Sequence, residues 1–210
     1  MRKQKEFAAG RQNLLLDQAY DTALERVNGQ KYGLRKMAMQ IFSWITLAKR
    51  QLTTSELSHA LAIRLGTSRL DPGDLPQAAD VVSICAGLIT TDEQTDVILF
   101  AHYTTQEYFQ QRQQVLFPKG NEDIARACVT YLTFDTFADG CCELKFLEER
   151  LRSNPLYDYS ARHWADHAGV VAIELQEIIK FLDDTDKVQA SAQVKFRRPE
   201  DHFTGSSNIQ

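Results

Sequence analysis

The stretch from Cys85 to Phe109, CAGLITTDEQTDVILFAHYTTQEYF, is the part of the chain that most limits its possible folds. Two short runs rich in β-branched and apolar residues, Gly87 to Thr90 and Val97 to Ala101, are typical of β-strands. The acidic segment between them, residues 92–96, has the composition of a turn. The stretch therefore predicts a β-hairpin that leads directly into the next element.

A single histidine, His102, lies where the predicted hairpin ends and the next helix begins. Thr104 follows it, with Glu107 three residues further on, which is the spacing of a capping box at a helix N-terminus. We therefore expect a helix from Thr104 to Phe117, ended by the break at Pro118. A helical run before such a hairpin makes a winged helix, so the preceding chain decides the fold.

Two amphipathic helices are predicted near the N-terminus. The first covers residues 14–27, with apolar residues at three- and four-residue steps and with Asp17 and Asp21 on the opposite face. The second covers residues 34–48 and has its own apolar stripe.

A short extended piece and two more helices complete the segment before the hairpin. Thr53 or Thr54, followed by Glu56, predicts the N-cap of a third helix. Asp74 is predicted to cap a fourth helix over residues 75–86. This is the order of elements in a winged helix: helix, extended piece, helix, helix and hairpin.

The rest of the chain predicts a helical bundle. Its segments cover residues 122–137, 143–153, 156–168 and 170–182. Short breaks between them favour antiparallel packing. From residue 183 onward the periodicity fades, which predicts a tail or linker.

The sequence thus predicts a mainly α-helical protein, with a winged-helix domain followed by an antiparallel helical bundle. Four parts are expected along the chain. They are an N-terminal linker helix (1–31), the winged-helix domain (32–111), the helical bundle (112–184) and a tail or linker (185–210).

Composition and charge narrow the classes of function. The chain has 210 residues, of which 43% are hydrophobic and 25% charged, as in ordinary soluble proteins. Its net charge of -4 gives no general attraction to nucleic acid or to anionic membranes. No apolar run approaches the roughly 18 to 20 residues of a membrane span, and the N-terminus lacks the apolar core of a signal peptide. We expect a cytoplasmic protein without nucleic-acid or membrane partners.

The four cysteines do not have the spacing of zinc ligands. Cys85 and Cys128 lie in apolar helical settings, so we expect buried free thiols there. Cys141 and Cys142 are adjacent, without the C-x-x-C spacing of a redox site. A disulfide framework is therefore not predicted.

Neither a metal site nor an active site is indicated by the sequence. His163 and His167 have the four-residue spacing of a two-histidine metal site, but no third ligand accompanies them, so helix packing is the favoured interpretation. The chain has no G-x-x-x-x-G-K-S/T motif, and hence no phosphate-binding loop. We expect no catalytic residue, no metal and no cofactor bound by this chain alone.

Four blocks of the sequence together resemble a known region of signalling ATPases. They are LTTSELSHALAI, DVVSICAGLIT, LFAHYTTQEYF and RLRSNPLYDYSARHWADHA, between Leu52 and Ala168. This series is similar to the segment that follows the NACHT module in fungal-type NACHT and ankyrin-repeat proteins of the STAND class, with a winged helix of the GPI inositol-deacylase type. The resemblance implies that the N-terminal helix links to a NACHT module and that ankyrin repeats follow the C-terminal part.

The block FAHYTTQEYF is also similar to the F-x-H-x-S/T-x-Q-E-F/Y-F run of animal NACHT receptors. In those relatives the histidine contacts the β-phosphate of bound ADP and holds the closed state. The resemblance implies that His102 binds ADP in this way, with the nucleotide held by a NACHT partner. The alternative is that His102 bonds a backbone carbonyl and closes the hairpin.

The resemblance implies a non-enzymatic module that stabilises the closed, nucleotide-bound state and relays sensing by the repeats. A DNA-binding winged helix and a free-standing interaction scaffold are the alternatives. DNA binding calls for basic or amide side chains on the helix before the hairpin, but residues 75–86 carry only Gln77 of these types, together with Asp80. The predicted wing carries Asp92, Glu93 and Asp96, which would repel phosphates.

Overall fold

The structure is a computed structural model of the chain. It describes residues 2–169 and 176–197, with side chains from residue 15 onward. The chain divides into two compact units. Unit 1 comprises Met1–Ala62 and Gly73–Gly120, and unit 2 comprises Ile63–Pro72 and Asn121–Gln210.

Unit 1 has the predicted winged-helix order. Its elements are α1 (Arg2–Asn28), α2 (Tyr32–Leu47), β1 (Leu52–Thr53), α3 (Thr54–Ala62), α4 (Ala78–Ile84), β2 (Ile89–Asp92), β3 (Val97–Phe100) and α5 (Tyr103–Leu116). The strands form an antiparallel sheet in the order β1-β3-β2. The predicted fold class, mainly helical with a small hairpin wing, is confirmed.

The register of the sheet places its apolar residues on the core side. Leu52 pairs with Ile98, and Ile89 pairs with Phe100. All four side chains are buried. Because successive strand residues point to opposite faces, Ile98 and Phe100 share the face that covers the core.

Four phenylalanine rings join the wing to the helices of unit 1. The centroid of Phe109 lies 4.8 Å from that of Phe42, 4.8 Å from that of Phe100 and 6.1 Å from that of Phe117. These rings come from α2, the end of β3, α5 and the residue after α5. Burial of large aromatic side chains is a major source of folding free energy, so this cluster fixes the hairpin against α2 and α5.

The capping box predicted at the start of α3 is present. Thr53 N donates to Glu56 Oε2 at 2.8 Å, and Glu56 N donates to Thr53 Oγ1 at 3.2 Å. The two bonds satisfy backbone donors that the first turn leaves without partners.

The prediction for the fourth helix is wrong at its N-terminus. Asp74 ends a short 3-10 turn, and α4 begins three residues after the predicted start, with Gln77 as its N-cap. Pro76 explains the difference, because a proline disfavours the helical conformation of the residue before it. Ser58 Oγ also donates to Pro76 O at 3.1 Å, which holds this segment outside the helix.

Unit 2 is helical in the part that the structure describes. Its helices are α6 (Gly120–Leu132, beginning at the last residue of unit 1), α7 (Leu144–Ser153), α8 (Tyr157–Ala168), α9 (Gln176–Asp183) and α10 (Thr185–Lys195). In its core Phe137 stacks on Tyr157 with centroids 4.0 Å apart. The segment 63–72 belongs to this unit, where Ser68 O accepts from Asp135 N at 2.8 Å. Of the helix predicted over 170–182, residues 170–175 lie outside the described residues.

The prediction of a tail or linker from residue 185 is wrong for its first part, because residues 185–195 form α10. Asp184 caps this helix by accepting from Lys187 N at 3.2 Å. Ala190 and Val194 are fully buried, and α10 packs against α8 and α9. The buried face consists of small residues, so it has little hydrophobic contrast in the sequence. Residues 198–210 lie outside the described residues.

A search of the described helices for membrane spans found none that combines the necessary length with the necessary apolar character.

Candidate functional site

His102 lies at the joint between β3 and α5, as the sequence predicts, and is the N-cap residue of α5. Its backbone is extended, with φ of -139° and ψ of 148°. Its carbonyl accepts from Thr105 N at 3.1 Å and from Gln106 N at 3.3 Å, which starts the helix. The imidazole is exposed and makes no capping hydrogen bond. The side chain is therefore presented to solvent from a fixed backbone position.

Packed residues on both sides hold this joint. Phe100, two residues before His102, is 4% exposed, and Phe109 in α5 is fully buried. The backbone closes the hairpin, because Ala101 N donates to Leu88 O at 3.0 Å. Closure of the hairpin is thus accounted for without the imidazole of His102.

The capping box predicted for Thr104 and Glu107 is wrong. The helix begins one residue before Thr104, so the Thr104 hydroxyl lies inside the first turn and the cap position belongs to His102. Thr104 Oγ1 instead lies 2.5 Å from Tyr20 Oη of α1. Glu107 is exposed. A hydroxyl inside the helix is free to bond a neighbouring element, and here it bonds α1.

Two further polar contacts join α1 to α5. Arg112 Nη2 donates to Asp17 Oδ2 at 2.8 Å, and Tyr108 Oη donates to the carboxylate of Asp21. Asp17 and Asp21, predicted on the face of α1 opposite its apolar stripe, therefore contact α5 through their carboxylates. We call the contacts Asp17–Arg112, Asp21–Tyr108 and Tyr20–Thr104 the α1–α5 clasp.

The electrostatics of the clasp favour its hydrogen-bonded form. Burial, together with the hydrogen bond to Asp21, raises the pKa of Tyr108, so its hydroxyl stays protonated and able to donate. The hydrogen bond to Asp17 raises the pKa of Arg112. The Arg112 guanidinium also lies 4.0 Å from the centre of the Tyr108 ring, within the range of a cation–π contact.

A four-residue spacing on each helix was a sequence signal for the clasp. Asp17 and Asp21 share one face of α1, and Tyr108 and Arg112 share one face of α5. The spacing shows that the two residues of each pair lie on the same face of their helix. It does not show which other helix that face contacts. Only the tertiary structure brings the two faces into contact.

The surfaces that contact DNA in many winged helices are acidic here. Asp80 is exposed on α4, and Asp92, Glu93 and Asp96 are exposed at the turn of the wing. The backbone N–H of Gln94 donates to Asp92 and lowers the pKa of that carboxyl, so Asp92 is ionised at neutral pH. These charges oppose contact with a phosphate backbone.

The wing is tied to α3 at its acidic end. Asp96 has a left-handed backbone with φ of 55°, and its carbonyl accepts from Thr54 N at 2.9 Å. The Thr54 hydroxyl donates to the Asp96 carboxylate. Asp96 thus has a structural role, because it ties the wing to α3. Asp92 and Glu93 lie at the outer end of the wing and are exposed.

The structure assigns separate structural roles to His163 and His167. His167 is fully buried, with Nε2 2.8 Å from Tyr159 Oη and Nδ1 2.9 Å from Asn121 Oδ1. His163 Nδ1 lies 3.0 Å from Asp166 Oδ2 at the surface. Across the described residues, no group of three or more His, Cys, Asp or Glu side chains is placed to hold a metal ion.

The cysteines divide into buried and accessible thiols, and the predicted burial of Cys85 and Cys128 is confirmed. Cys85 and Cys128 are buried, and burial raises the pKa of each thiol to about 12. Cys141 is exposed and Cys142 is half-buried, with Cys142 N donating to Gln193 Oε1 at 3.1 Å. All four are free.

The fold and the joint at His102 define a winged-helix domain, and a comparison with protein families agrees. Residues 24–115 match the family model described as the winged helix domain of GPI inositol-deacylase. The match begins within α1 and ends within α5, so it includes the whole hairpin and His102. Residues 24–115 of this chain are therefore similar to the winged helix domain of GPI inositol-deacylase. Comparisons with curated proteins and with solved structures gave no match.

Proposed function

We propose that this chain is a non-catalytic regulatory and connecting module of a NACHT-type STAND signalling ATPase. In this role the winged helix stabilises the closed, nucleotide-bound state, and the helical unit relays sensing by ankyrin repeats. The nucleotide, ADP or ATP, would be held by the NACHT module, with this chain adding a single contact. Such a protein would act in the cytoplasm.

The observation that carries the proposal is the exposed imidazole of His102 on a rigid joint. An imidazole N–H donates a hydrogen bond to a phosphate oxygen, more strongly when the ring is protonated. The packed residues around the joint would keep this donor in place as a partner approaches, which reduces the entropy lost on binding.

The acidic wing supports a protein partner over a nucleic acid. Asp80 and Glu93 project from the two surfaces that a DNA-binding winged helix would use. A partner surface rich in Lys or Arg would complement them. The wing would then orient such a partner and disfavour binding of proteins that lack this basic surface.

Binding to a separately expressed NACHT module tests the proposal directly. The 210-residue chain is titrated against that module with ADP, and in parallel against duplex DNA at low and high salt. We expect saturable binding to the NACHT module that depends on ADP. Salt-sensitive DNA binding without NACHT association would overturn the proposal in favour of the DNA-binding alternative.

His102→Ala tests the nucleotide contact in the full-length ATPase. The variant should speed the release of ADP and raise spontaneous activation, because one phosphate contact is lost. Gln110→Ala, an exposed change further along α5, is the matched control and should leave ADP release unchanged. An unaltered ADP off-rate in His102→Ala would remove the proposed role of this residue.

A further inference from the structure

Helix α1 is held to unit 1 in two different ways along its length. In its C-terminal part, Leu24 is 7% exposed and Val27 is fully buried. Further toward the N-terminus, Tyr20 is 8% exposed and its ring centroid lies 5.3 Å from that of Tyr108, whereas Leu16 is half-buried and Leu15 is 61% exposed. The C-terminal part therefore belongs to the hydrophobic core, whereas residues 15–22 are held by the ring of Tyr20 and by other interactions that are polar.

Those interactions are the α1–α5 clasp. The side chains of Asp17 and Arg112 are 38% and 33% exposed, so water and salt reach their ion pair. Tyr20 and Thr104 line an open groove between the two helices. When such a clasp opens, water replaces part of each polar contact, and the ring of Tyr20 is the buried apolar group that becomes exposed.

The clasp adjoins the candidate site. Thr104 lies in the first turn of α5, two residues after His102. Tyr20 bonds that turn, and Tyr108 and Arg112 continue the contact along the same helix. The position of α1 is thus linked to the helix whose N-cap carries the exposed imidazole.

We propose that residues 15–22 of α1 form a releasable latch on α5, which opens while the rest of the winged helix stays folded. The latch is a conformational device of this chain alone. What opening achieves rests on the proposed function: a linker helix that leaves α5 would alter how a preceding NACHT module is held against His102.

Hydrogen–deuterium exchange of the full 210-residue chain, read by mass spectrometry, tests the latch. In the wild-type protein the amides of residues 15–22 should exchange faster than those of residues 24–28. Tyr108→Phe removes only the hydroxyl that donates to Asp21 and keeps the packed ring. It should speed exchange of residues 15–22 by about five- to thirtyfold, the effect of losing one hydrogen bond to a charged group.

Two control variants match the change in chemistry without touching the clasp. Tyr103→Phe removes a hydroxyl from the same helix at a position that is 76% exposed. Asp80→Asn removes an exposed carboxylate of the same unit and is the control for Asp17→Asn. Both controls should leave the exchange of residues 15–22 at the wild-type rate.

Added salt provides a second readout. Raising NaCl should speed exchange of residues 15–22 in the wild-type chain, because the Asp17–Arg112 pair is screened. In Asp17→Asn, which lacks that pair, the salt response should be smaller. This comparison does not depend on how the variants affect overall stability.

Two results would overturn the latch. If Tyr108→Phe speeds exchange throughout unit 1 to the same degree, the contact belongs to the global core and no local opening exists. If neither Tyr108→Phe nor Asp17→Asn changes residues 15–22, the clasp does not hold α1. Because no NACHT partner is present, either failure leaves the proposed function standing, and failure of NACHT binding leaves the latch standing.

Discussion

The carboxylate of Glu56 and the guanidinium of Arg50 meet through two parallel contacts, Oε1–Nη2 at 2.7 Å and Oε2–Nη1 at 2.9 Å. Glu56 is 7% exposed, and the same carboxylate accepts from Thr53 N. One buried side chain therefore caps α3 and also fixes the segment that leads into it. Bidentate pairs between Arg and a carboxylate are among the stronger ionic contacts in proteins.

Glu56→Ala should lower the free energy of unfolding by about 2 kcal/mol, since it removes both a capping bond and a charge-assisted pair. Urea unfolding followed by circular dichroism measures the change. Glu107→Ala is the matched control, because Glu107 has the same spacing from a threonine but is exposed and its threonine is not the cap. Equal losses in the two variants would contradict the role assigned to Glu56.

Gly120→Ala should destabilise the protein, although alanine is the better helix former. A Cβ at position 120 would lie 3.0 Å from Phe117 Cβ and would also displace the ends of the Leu47 and Ser43 side chains. Overpacking of this kind costs about 1 to 3 kcal/mol. Gly33→Ala is the control, because a Cβ there meets nothing within 4 Å, and it should be stabilising or neutral. Thermal unfolding of both variants measures the change in stability. A Gly120→Ala variant as stable as the wild type would contradict the close approach.

His167→Ala should cost about 3 kcal/mol, because it leaves a cavity and removes one hydrogen-bond partner each from Tyr159 and Asn121. His163→Ala, which removes a surface contact with Asp166, should cost less than about 1 kcal/mol. Chemical denaturation of the two variants gives the comparison. A metal site would behave differently: added Zn²⁺ would stabilise the wild-type protein, and both variants would abolish that effect.

In the native protein a thiol reagent at pH 8 should modify Cys141 and Cys142 and leave Cys85 and Cys128 unmodified until the chain unfolds. The thiolate is the reactive form, and burial raises the pKa of Cys85 from 9.0 to about 12. Counting modified thiols with and without denaturant checks this. Rapid modification of all four in the native state would contradict the burial.

The sign of the accompanying pH effect follows from the same shift. Above pH 9.0 the unfolded chain releases the Cys85 proton, whereas the folded protein keeps it up to about pH 12. The unfolded state is then favoured, so this thiol lowers the free energy of unfolding by about 1.4 kcal/mol per pH unit within that window. Cys85→Ala should reduce this slope in a series of unfolding curves.

Much of the fold could be predicted because the decisive signals are local. Short β-branched and apolar runs on either side of an acidic turn predicted the hairpin, and Thr53 with Glu56 predicted the start of α3. The same spacing at Thr104 and Glu107 gave a wrong cap, because the helix there begins one residue earlier. A capping pattern indicates a helix start nearby, but the first residue depends on where the preceding strand ends.

The predictions that failed depended on partners distant in sequence. Helix α10 was predicted as a tail, because a buried face of Ala190, Ser191 and Val194 has little hydrophobic contrast until α8 covers it. The contacts of Asp17 and Asp21 were not predicted, since nothing in their own helix identifies Arg112 and Tyr108 as partners.

The sequence by itself determined the winged-helix order and the location of His102, because short-range periodicity, turn composition and chain order are written in neighbouring residues. Only the tertiary structure decided that the imidazole of His102 is exposed and that a polar clasp holds α1 to α5. Exposure and pairing depend on which surfaces meet after the chain folds. That choice is made by the total free energy of packing, which no local pattern contains.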